Sequence, residues 1–344
     1  MREITDEDPC AIFADMGTSN TRVWFIRGND ILGRAAKAVG VRDTAQETSA
    51  RRIEAGLKEL ITEVIGQASQ SGDSCAPLCV GAVGMISSPL GLQELPHIAT
   101  PAGTEELTAS SRWFKFPEIA ELPFLLVPGV RSGPQAVTLD SLHNADIMRG
   151  EETLALGFSL LGLLKLPGVV LNLGSHWKAI ELDSQRRIVA SISSLAGELI
   201  QTSKAQTILA SSVSRDWPAS LNRQWLKAGM NEQRRSGLSR ALYCVRLLEV
   251  GNDGTPEDRF AFLIGAFIAA DLDLFVAHGL LCEGAQVVIS GNVALAEAWR
   301  DVLAQISIGA LVMTTDQVEQ ALLAGLKHIA FACYARRKVE HQAN

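Results

Sequence analysis

The sequence predicts an α/β protein built from two similar domains, each with a sheet that begins as a β-meander. A motif of strand, acid or amide, glycine, hydroxyl residue and strand occurs twice, at residues 11–26 and 168–182. Each copy continues through a turn into a third apolar run, which is the pattern of three antiparallel strands joined by tight turns. A chain of 344 residues is long enough for two domains with separate cores.

Hydrophobic periodicity assigns the remaining elements. Helices are predicted at 47–66, 146–164, 195–250 (with a charged middle, 215–238, left open), 258–278, 293–305 and 318–337. Strands are predicted at 78–83, 124–127, 286–289 and 309–313. The stretch 84–118 has no clean period and is rich in Gly, Pro, Ser and Thr, which indicates a long functional loop. We expect two lobes, 1–145 and 146–344, and leave open that the last helix packs back on the first lobe.

Composition narrows the class of partner. The net charge of −7 argues against nucleic acid and anionic membranes, so a nucleotide would be held by backbone amides and a metal ion. The acidic start Met1–Asp8 lacks the apolar core of a signal peptide. The longest apolar stretch, Phe260 to Leu274, is short for a membrane span and carries Asp271 and Asp273. We therefore expect a cytoplasmic protein with a small-molecule substrate, and the sequence leaves a homodimer open.

The cysteines are expected to be structural. Six are scattered through the chain, at Cys10, Cys75, Cys79, Cys244, Cys282 and Cys333. Only Cys75 and Cys79 are close in sequence, and Pro77 between them argues against a metal or redox site. Buried thiols otherwise behave as small hydrophobic groups.

The first glycine hairpin can bind a metal and a phosphate. Asp15 at a strand end could hold a hydrated Mg²⁺, and Gly17 lets the backbone approach a phosphate whose oxygens Thr18, Ser19 and Asn20 would contact. One such motif alone is more often an ordinary β-hairpin. The second copy favours the functional interpretation.

The second hairpin lacks the acid. Asn172 stands in place of the aspartate, before Gly174 and Ser175, which suggests that this copy cradles phosphate only. His176 or Lys178 could add positive charge to that cradle.

A carboxylate precedes the second hairpin. Asp146 is a candidate base for a hydroxyl nucleophile, and the alternative is that it only caps the helix that it opens. Arg149 could clamp a carboxylate or phosphate bidentately, and the alternative is a solvated surface arginine. The helix 258–278 and the turn Ser290–Asn292 could dock a nucleoside, although their apolar residues are individually better explained as core.

No Walker P-loop, GxGxxG, GxSxG or HExxH motif is present, and the histidines have no metal-ligand spacing. The motifs that are present resemble, in order and over nearly the whole length, those of the 2-dehydro-3-deoxygalactonokinase family of sugar-acid kinases. The matching segments are Asp15–Arg22, Gly84–Ser88, Pro128–Gly129, Asp146–Thr153 with Gly157, Gly174–Lys178, Ala196–Leu199, Leu263–Gly265 and Ser290–Gly291. The string Asp-x-Met-Arg-Gly-Glu-Glu-Thr at 146–153 is the most specific of them.

The resemblance implies two RNase H-like (actin-like ATPase) domains, each with a meander-led mixed sheet flanked by helices, and a cleft between them. It also implies ATP- and Mg²⁺-dependent phosphorylation of the 6-hydroxyl of 2-dehydro-3-deoxy-D-galactonate. The implied site has metal-binding Asp15, phosphate-binding Gly17–Asn20 and Gly174–His176, the base Asp146, and Gly265, Ser290 and Gly291 near adenosine. Separately from the resemblance, Arg149 is a further catalytic candidate, and the candidate substrate contacts are Arg22, Met85, Ser88 and Arg149.

The chain departs from the family's usual residues at Met16, Ser87, Leu173, Ala196 and Phe267. A kinase for a different sugar or sugar acid on the same scaffold is therefore the main alternative. A nucleotide- or sugar-acid-binding sensor without turnover is the second.

Overall fold

The computed structural model describes residues 9–47, 49–72 and 75–342. The acidic segment Met1–Asp8, which entered the argument against a signal peptide, lies outside them. The strands are β1 (Cys10–Met16), β2 (Thr21–Arg27), β3 (Asp30–Lys37), β4 (Val80–Gly84), β5 (Ile98–Ala99), β6 (Arg112–Phe116), β7 (Ala120–Leu126), β8 (Val130–Ser132), β9 (Asp146–Met148), β10 (Gly168–Leu173), β11 (Trp177–Leu182), β12 (Ile188–Ser194), β13 (Gln286–Gly291) and β14 (Gly309–Val312). The α-helices are α1 (Val41–Glu47), α2 (Arg51–Gln70), α3 (Thr104–Ser110), α4 (Glu151–Leu160), α5 (Ala196–Gln206), α6 (Arg223–Ser236), α7 (Leu238–Val250), α8 (Pro256–Ala277), α9 (Val293–Gln305) and α10 (Thr315–Gln342).

The chain divides into two compact units. Unit 1 comprises Met1–Gln135, Ile147–Leu161 and Gln320–Asn344, and unit 2 comprises Ala136–Asp146 and Gly162–Glu319. This division differs from the expected one at 145/146, because α4 and most of α10 belong to unit 1. Two glycines allow those helices to touch within unit 1: a Cβ on Gly157 would lie 1.7 Å from the carbonyl oxygen of Ala321, and one on Gly325 would lie 2.1 Å from that of Thr153.

Unit 1 contains a six-stranded sheet in the order β3-β2-β1-β4-β7-β6. The predicted meander is confirmed: β1 is antiparallel to β2, which is antiparallel to β3, and β1 is parallel to β4. Helix α2 covers one face of this sheet. The apolar positions that predicted it are all buried: Ile53, Leu57, Leu60, Ile61 and Val64.

Unit 2 contains a five-stranded sheet in the order β12-β11-β10-β13-β14. Its core is built around α8, whose Phe260, Phe267 and Phe275 are fully buried, as the uniformly apolar sequence predicted. Helix α8 also has the length and hydropathy of a membrane span, and 72% of that apolar stretch is buried inside the protein.

Two local predictions are wrong. Asp146 does not open a helix: it begins the short strand β9, and α4 starts five residues later at Glu151, after Gly150 at φ +101°. The stretch 84–118 is not a continuous loop, because it contains β5, α3 and β6. Short elements of two to seven residues have too few positions for a hydrophobic period to appear.

One cysteine pair was not foreseen. Cys10 on β1 is joined by a disulfide to Cys75, 65 residues later in the chain, with the two Cα atoms 6.4 Å apart. Sequence spacing could not indicate this pair, since it depends on where the chain enters β1 and leaves α2. Cys79 and Cys333 are buried thiols, as expected.

Candidate functional site

The first hairpin holds an aspartate at the end of β1. Asp15 lies opposite Arg22 on β2, and Arg22 Nη2 donates a hydrogen bond to Asp15 Oδ2 at 2.6 Å. Arg22 was considered a substrate contact; here its guanidinium lies beside Asp15, and it also stacks 5.5 Å from the ring centroid of Trp24. The ion pair fixes one carboxylate oxygen and the orientation of the other.

The turn after Asp15 is closed by its backbone. Gly17 N–H donates to the carbonyl of Asn20 at 2.8 Å, and Arg42 N–H donates to the carbonyl of Thr18 at 2.9 Å. A Cβ on Gly40 would lie 2.6 Å from the carbonyl oxygens of Gly17 and Thr18, so a glycine there lets the chain brace the turn. Ser19, between Thr18 and Asn20 in the turn, is half-buried. The phosphate-binding candidates therefore sit on a supported turn.

Two glycines that the sequence argument gave no role flank Asp15. A Cβ on Gly84 would lie 3.1 Å from Asp15 Oδ1, and one on Gly150 would lie 3.7 Å from it. Both glycines have positive φ, +81° and +101°, which residues with a side chain rarely adopt. A side chain at either position would crowd Asp15 Oδ1, which accepts no hydrogen bond from the described residues. Their signal in the sequence was their place in the matching segments 84–88 and 146–153.

Arg149 is turned inward toward the segment that follows β4. Its Nη1 donates to Ser87 Oγ at 2.9 Å, and its Nη2 donates to the carbonyl of Leu95 at 2.7 Å and approaches His97 Nδ1 at 3.4 Å. Burial lowers the pKa of Arg149, while Glu152 and Glu94 oppose that shift. These contacts describe a side chain that anchors residues 87–97, and the expected clamp on a ligand stays a prediction.

The other substrate candidates in this segment also make local contacts. Ser88 Oγ donates to the carbonyl of Met85 at 2.7 Å, and Ser88 is buried. Next to them, Glu152 is 1% exposed and both its carboxylate oxygens accept from Gly150 N–H at 2.8 Å. Sequence reasoning gave Glu152 no role; it supports the start of α4, where a negative charge is favourable.

In the second hairpin an amide, Asn172, stands at the position that Asp15 has in the first. Asn172 on β10 pairs in register with Ser290 on the parallel strand β13, and Ser290 Oγ donates to Asn172 Oδ1 at 2.9 Å. Lys178 faces Asn172 across the antiparallel pair and is buried. Gly291, at φ +139°, has no room for a side chain because Leu173 O would lie 2.8 Å from its Cβ. Ser290 and Gly291 thus fix the strand end beside the hairpin.

The tip of the second hairpin is exposed and rests on the start of α5. Gly174 and Ser175 are exposed. A Cβ on Gly197 would lie 2.1 Å from the carbonyl oxygen of Gly174, and Glu198 N–H donates to the carbonyl of Ser175 at 2.8 Å. His176 Nε2 lies 3.7 Å from Glu198 Oε1.

Asp146 is held by two hydroxyl groups. Ser191 Oγ donates to Asp146 Oδ2 at 2.6 Å, and Ser193 Oγ donates to the same oxygen at 3.0 Å. Both serines lie on β12 of unit 2. The alternative that Asp146 is a helix cap is wrong, because α4 begins beyond it. Oδ1 accepts no hydrogen bond from the described residues.

Gly265 serves helix packing. Its missing side chain lets α8 approach α6, where Leu226 O would lie 2.0 Å from a Cβ. That Gly265 also lies near adenosine stays a prediction. A cavity of about 610 Å³ lies nearby in unit 2, between α6 and the helix α9 that follows Ser290–Gly291.

The two sheets share one topology: a three-stranded meander whose first strand pairs in parallel with the next strand of the sheet. This duplicated α/β fold with a glycine hairpin in each copy defines the class as an actin-like ATPase fold. The model of the 2-keto-3-deoxy-galactonokinase family matches residues 15–329. The chain belongs to that family, and it is a sugar-acid kinase.

Solved structures share the fold at low sequence identity. A Sinorhizobium meliloti protein provisionally described as a 2-dehydro-3-deoxygalactonokinase is 22% identical, with a TM-score of 0.71 over 94% of this chain and 96% of its own. The Clostridium difficile activator of 2-hydroxyisocaproyl-CoA dehydratase, solved with bound ADPNP, is 13% identical, with a TM-score of 0.51 over 96% and 97%. No curated protein sequence matches the chain.

Proposed function

We propose that the protein transfers the γ-phosphate of ATP to the 6-hydroxyl of 2-dehydro-3-deoxy-D-galactonate, with Mg²⁺. The acceptor follows from the family, and the residue roles follow from one asymmetry between the hairpins. Asp15 has one carboxylate oxygen, Oδ1, that accepts no hydrogen bond from the described residues, whereas Asn172 uses its amide oxygen to accept from Ser290. This difference supports a metal-binding hairpin and a hairpin that binds phosphate alone.

The surroundings of Asp15 fit Mg²⁺. This ion is usually held by one or two carboxylates, with waters and phosphate oxygens completing its shell. Asp15 would be the protein's main ligand, since Mg²⁺ keeps most of its shell for waters and phosphate oxygens. Gly84 and Gly150 leave room beside its Oδ1. When bound, the ion would neutralise charge on the transferring phosphoryl group.

The backbone of both hairpins would hold the phosphates. Gly17–Asn20 and Gly174–His176 offer amide and hydroxyl donors on turns that are braced from behind by Gly40 and Gly197. Such donors lose little entropy on binding because the turns are already ordered. Their rigidity supports a role in orienting the phosphate chain.

Asp146 would act as the base. Ser191 and Ser193 orient the carboxylate through Oδ2 and leave Oδ1 to accept a hydrogen bond from the acceptor hydroxyl. As the hydroxyl oxygen forms its bond to the γ-phosphorus, the bond to the ADP oxygen breaks and the hydroxyl proton passes to Asp146. The serines would keep this geometry through the reaction.

The cavity in unit 2 would take the nucleoside. Its volume of about 610 Å³ lies in the ~300–1,000 Å³ range of small-molecule sites. Apolar side chains of Leu226 and Met230 line one wall and Ala298 another. An ion pair between Arg223 and Asp301, at 2.6 Å, lies at the edge of the cavity. An apolar pocket with a charged edge suits a base and a ribose.

We expect a nucleotide-using metabolic kinase of this kind to work in the cytoplasm.

An ADP-release assay over hexoses, aldonates and keto-deoxy aldonates tests the proposal. We expect 2-dehydro-3-deoxy-D-galactonate to have the highest kcat/KM, and Asp146→Asn to lower kcat by at least about a hundredfold. A higher kcat/KM for another acceptor would establish a different sugar-acid kinase. Ligand binding without ADP release from any acceptor would establish a sensor. Asp273→Asn, at an exposed aspartate paired with Arg234, is the control.

A further inference from the structure

A second cavity lies in unit 1 and none of its residues belongs to the proposed kinase site. Its volume is about 420 Å³, and it is bounded by the end of α3, the start of β6 and the last turns of α10. The lining residues are Thr108, Ala109, Ser111, Arg112, Trp113, Cys333, Arg336 and Arg337. None of these side chains is a carboxylate. Three guanidinium groups around one cavity contrast with the chain's net charge of −7.

The arginines approach the cavity from two sides. Arg112 is anchored by its Nη1, which donates to the carbonyls of Ala109 at 2.8 Å and Ser111 at 2.9 Å. Arg337 stacks over Trp113, with its Cζ 5.0 Å from the ring centroid. Arg336 is exposed, one residue earlier on α10. Because these contacts already restrict Arg112 and Arg337, ordering the two side chains around a bound anion would cost less entropy.

The pKa of Cys333, a buried thiol that lines the cavity, reflects the charges around it. Its Sγ donates to the carbonyl of Thr108 at 3.4 Å. Burial raises the pKa of Cys333 to about 11, while Arg336 and Arg112 act in the opposite direction. Two guanidinium groups from different elements thus stabilise negative charge at one point inside the cavity. The high pKa keeps the thiol neutral, so no thiolate competes with a bound anion for the guanidinium groups.

We propose that this cavity binds a small polyanionic metabolite that carries a phosphate and a carboxylate group, with the chemistry of a phosphorylated sugar acid. The guanidinium groups would pair with the two anionic groups, since planar guanidinium matches the geometry of both phosphate and carboxylate. The indole of Trp113 and the hydroxyls of Thr108 and Ser111 suit a hydroxylated carbon chain. The volume lies within the ~300–1,000 Å³ range for small ligands. The product of the proposed reaction belongs to this class; that link alone rests on the proposed function.

Tryptophan fluorescence tests the site directly, because Trp113 lines the cavity. The full-length protein is titrated with 6-phosphogluconate, and in parallel with gluconate and with inorganic phosphate. We expect a saturable change with 6-phosphogluconate that is lost in Trp113→Phe. We expect gluconate and inorganic phosphate each to bind with an affinity at least about tenfold lower, since each carries only one of the two anionic groups. Equal affinity for inorganic phosphate would contradict a site for the two-anion class.

Charge variants separate this cavity from the kinase site. Arg336→Glu and the double variant Arg112→Ala, Arg336→Ala are expected to weaken 6-phosphogluconate binding by about tenfold or more. Arg51→Ala, at an exposed arginine on α2, is the matched control and should bind as the parent does. Thermal melting verifies that each variant is folded. Saturable binding that survives in folded Arg336→Glu would overturn the proposal, whatever the kinase assay gives.

Discussion

The hydroxyl of Ser194 donates a short hydrogen bond to the carboxylate of Asp271, a residue that is only 6% exposed on the apolar helix α8. Ser194 Oγ also accepts from the N–H of Ala196, the first residue of α5, at 3.2 Å. The start of α5 in turn supports the tip of the second hairpin through Gly197 and Glu198. A buried acid is therefore connected, through one serine, to the proposed phosphate-binding turn.

Asp271 should make stability depend on pH. Burial raises its pKa from 3.8 to about 6, so the folded state binds a proton more tightly than the unfolded state does. The stabilisation is fully present below the unfolded value and is lost as pH rises through the folded value. The free energy of unfolding should fall by about 2 kcal/mol between about pH 4.5 and about pH 7.5 through this group.

Urea unfolding at the two pH values measures that difference in the parent and in Asp271→Asn. Asparagine can still accept from Ser194 but cannot titrate, so this part of the pH dependence should disappear. Asp273→Asn, two residues along the same helix and exposed, should retain it. An unchanged pH dependence in Asp271→Asn would show that Asp271 stays ionised in the folded protein.

Gly197→Ala should impair nucleotide binding. The new Cβ would lie 2.1 Å from the carbonyl oxygen of Gly174, so the second hairpin must move. Displacing a positioned group by about 1 Å can cost up to about a hundredfold in rate. We expect the KM for ATP to rise at least about tenfold, with the KM for the sugar acid changed less than about twofold. Steady-state ADP release with each substrate varied in turn measures both.

The control for this variant is Gly66→Ala on α2. No atom lies within 4 Å of a Cβ at Gly66, so the substitution should raise the free energy of unfolding by about 0.5–1 kcal/mol through helix propensity. Its kinetics should match the parent. Equal effects on both KM values in Gly197→Ala would indicate general loss of structure and would contradict a local effect on the hairpin.

Both meanders and the long helices could be predicted from sequence, because their patterns extend over many residues. Ile53 to Val64 repeat on one helical face, and Asp258–His278 is apolar all round. Asp146 was misplaced because Asp before Arg-Gly-Glu-Glu is also a good helix start. The strand β9 has only three residues, and the two serines that hold Asp146 lie 45 and 47 positions further along.

The sequence names candidate site residues but does not show the contacts that hold them. The two hairpins contain Asp15, Asn172 and the glycines that the motif named. The inward turn of Arg149 depends on Ser87 and Leu95, more than 50 positions away, and no local pattern encodes such a contact. The same holds for the pairing of Cys10 with Cys75. Long-range contacts between polar side chains leave no period in a sequence.

Arg149→Lys distinguishes an anchoring arginine from a ligand clamp. Lysine has a single nitrogen and cannot reproduce the two hydrogen bonds that Arg149 makes to Ser87 and Leu95. We expect the free energy of unfolding to fall by about 1–3 kcal/mol and the KM for the sugar acid to rise. Chemical denaturation and kinetics are measured on one preparation. A large loss of kcat with unchanged stability would instead support direct contact with the reacting groups.

Gly150→Ala tests the open side of Asp15. The added Cβ would lie 3.7 Å from Asp15 Oδ1 and 3.2 Å from the Cα of Gly84, in the space proposed for Mg²⁺ and its waters. We expect the Mg²⁺ concentration for half-maximal activity to rise by about tenfold, because the ion would lose room for a water. The positive φ of +101° adds a conformational cost unrelated to the metal. Gly72→Ala carries the same kind of cost at φ +83°, with nothing within 4 Å of its Cβ, and should leave the Mg²⁺ dependence unchanged. A similar Mg²⁺ requirement in Gly150→Ala and Gly72→Ala would place the ion away from Asp15 Oδ1.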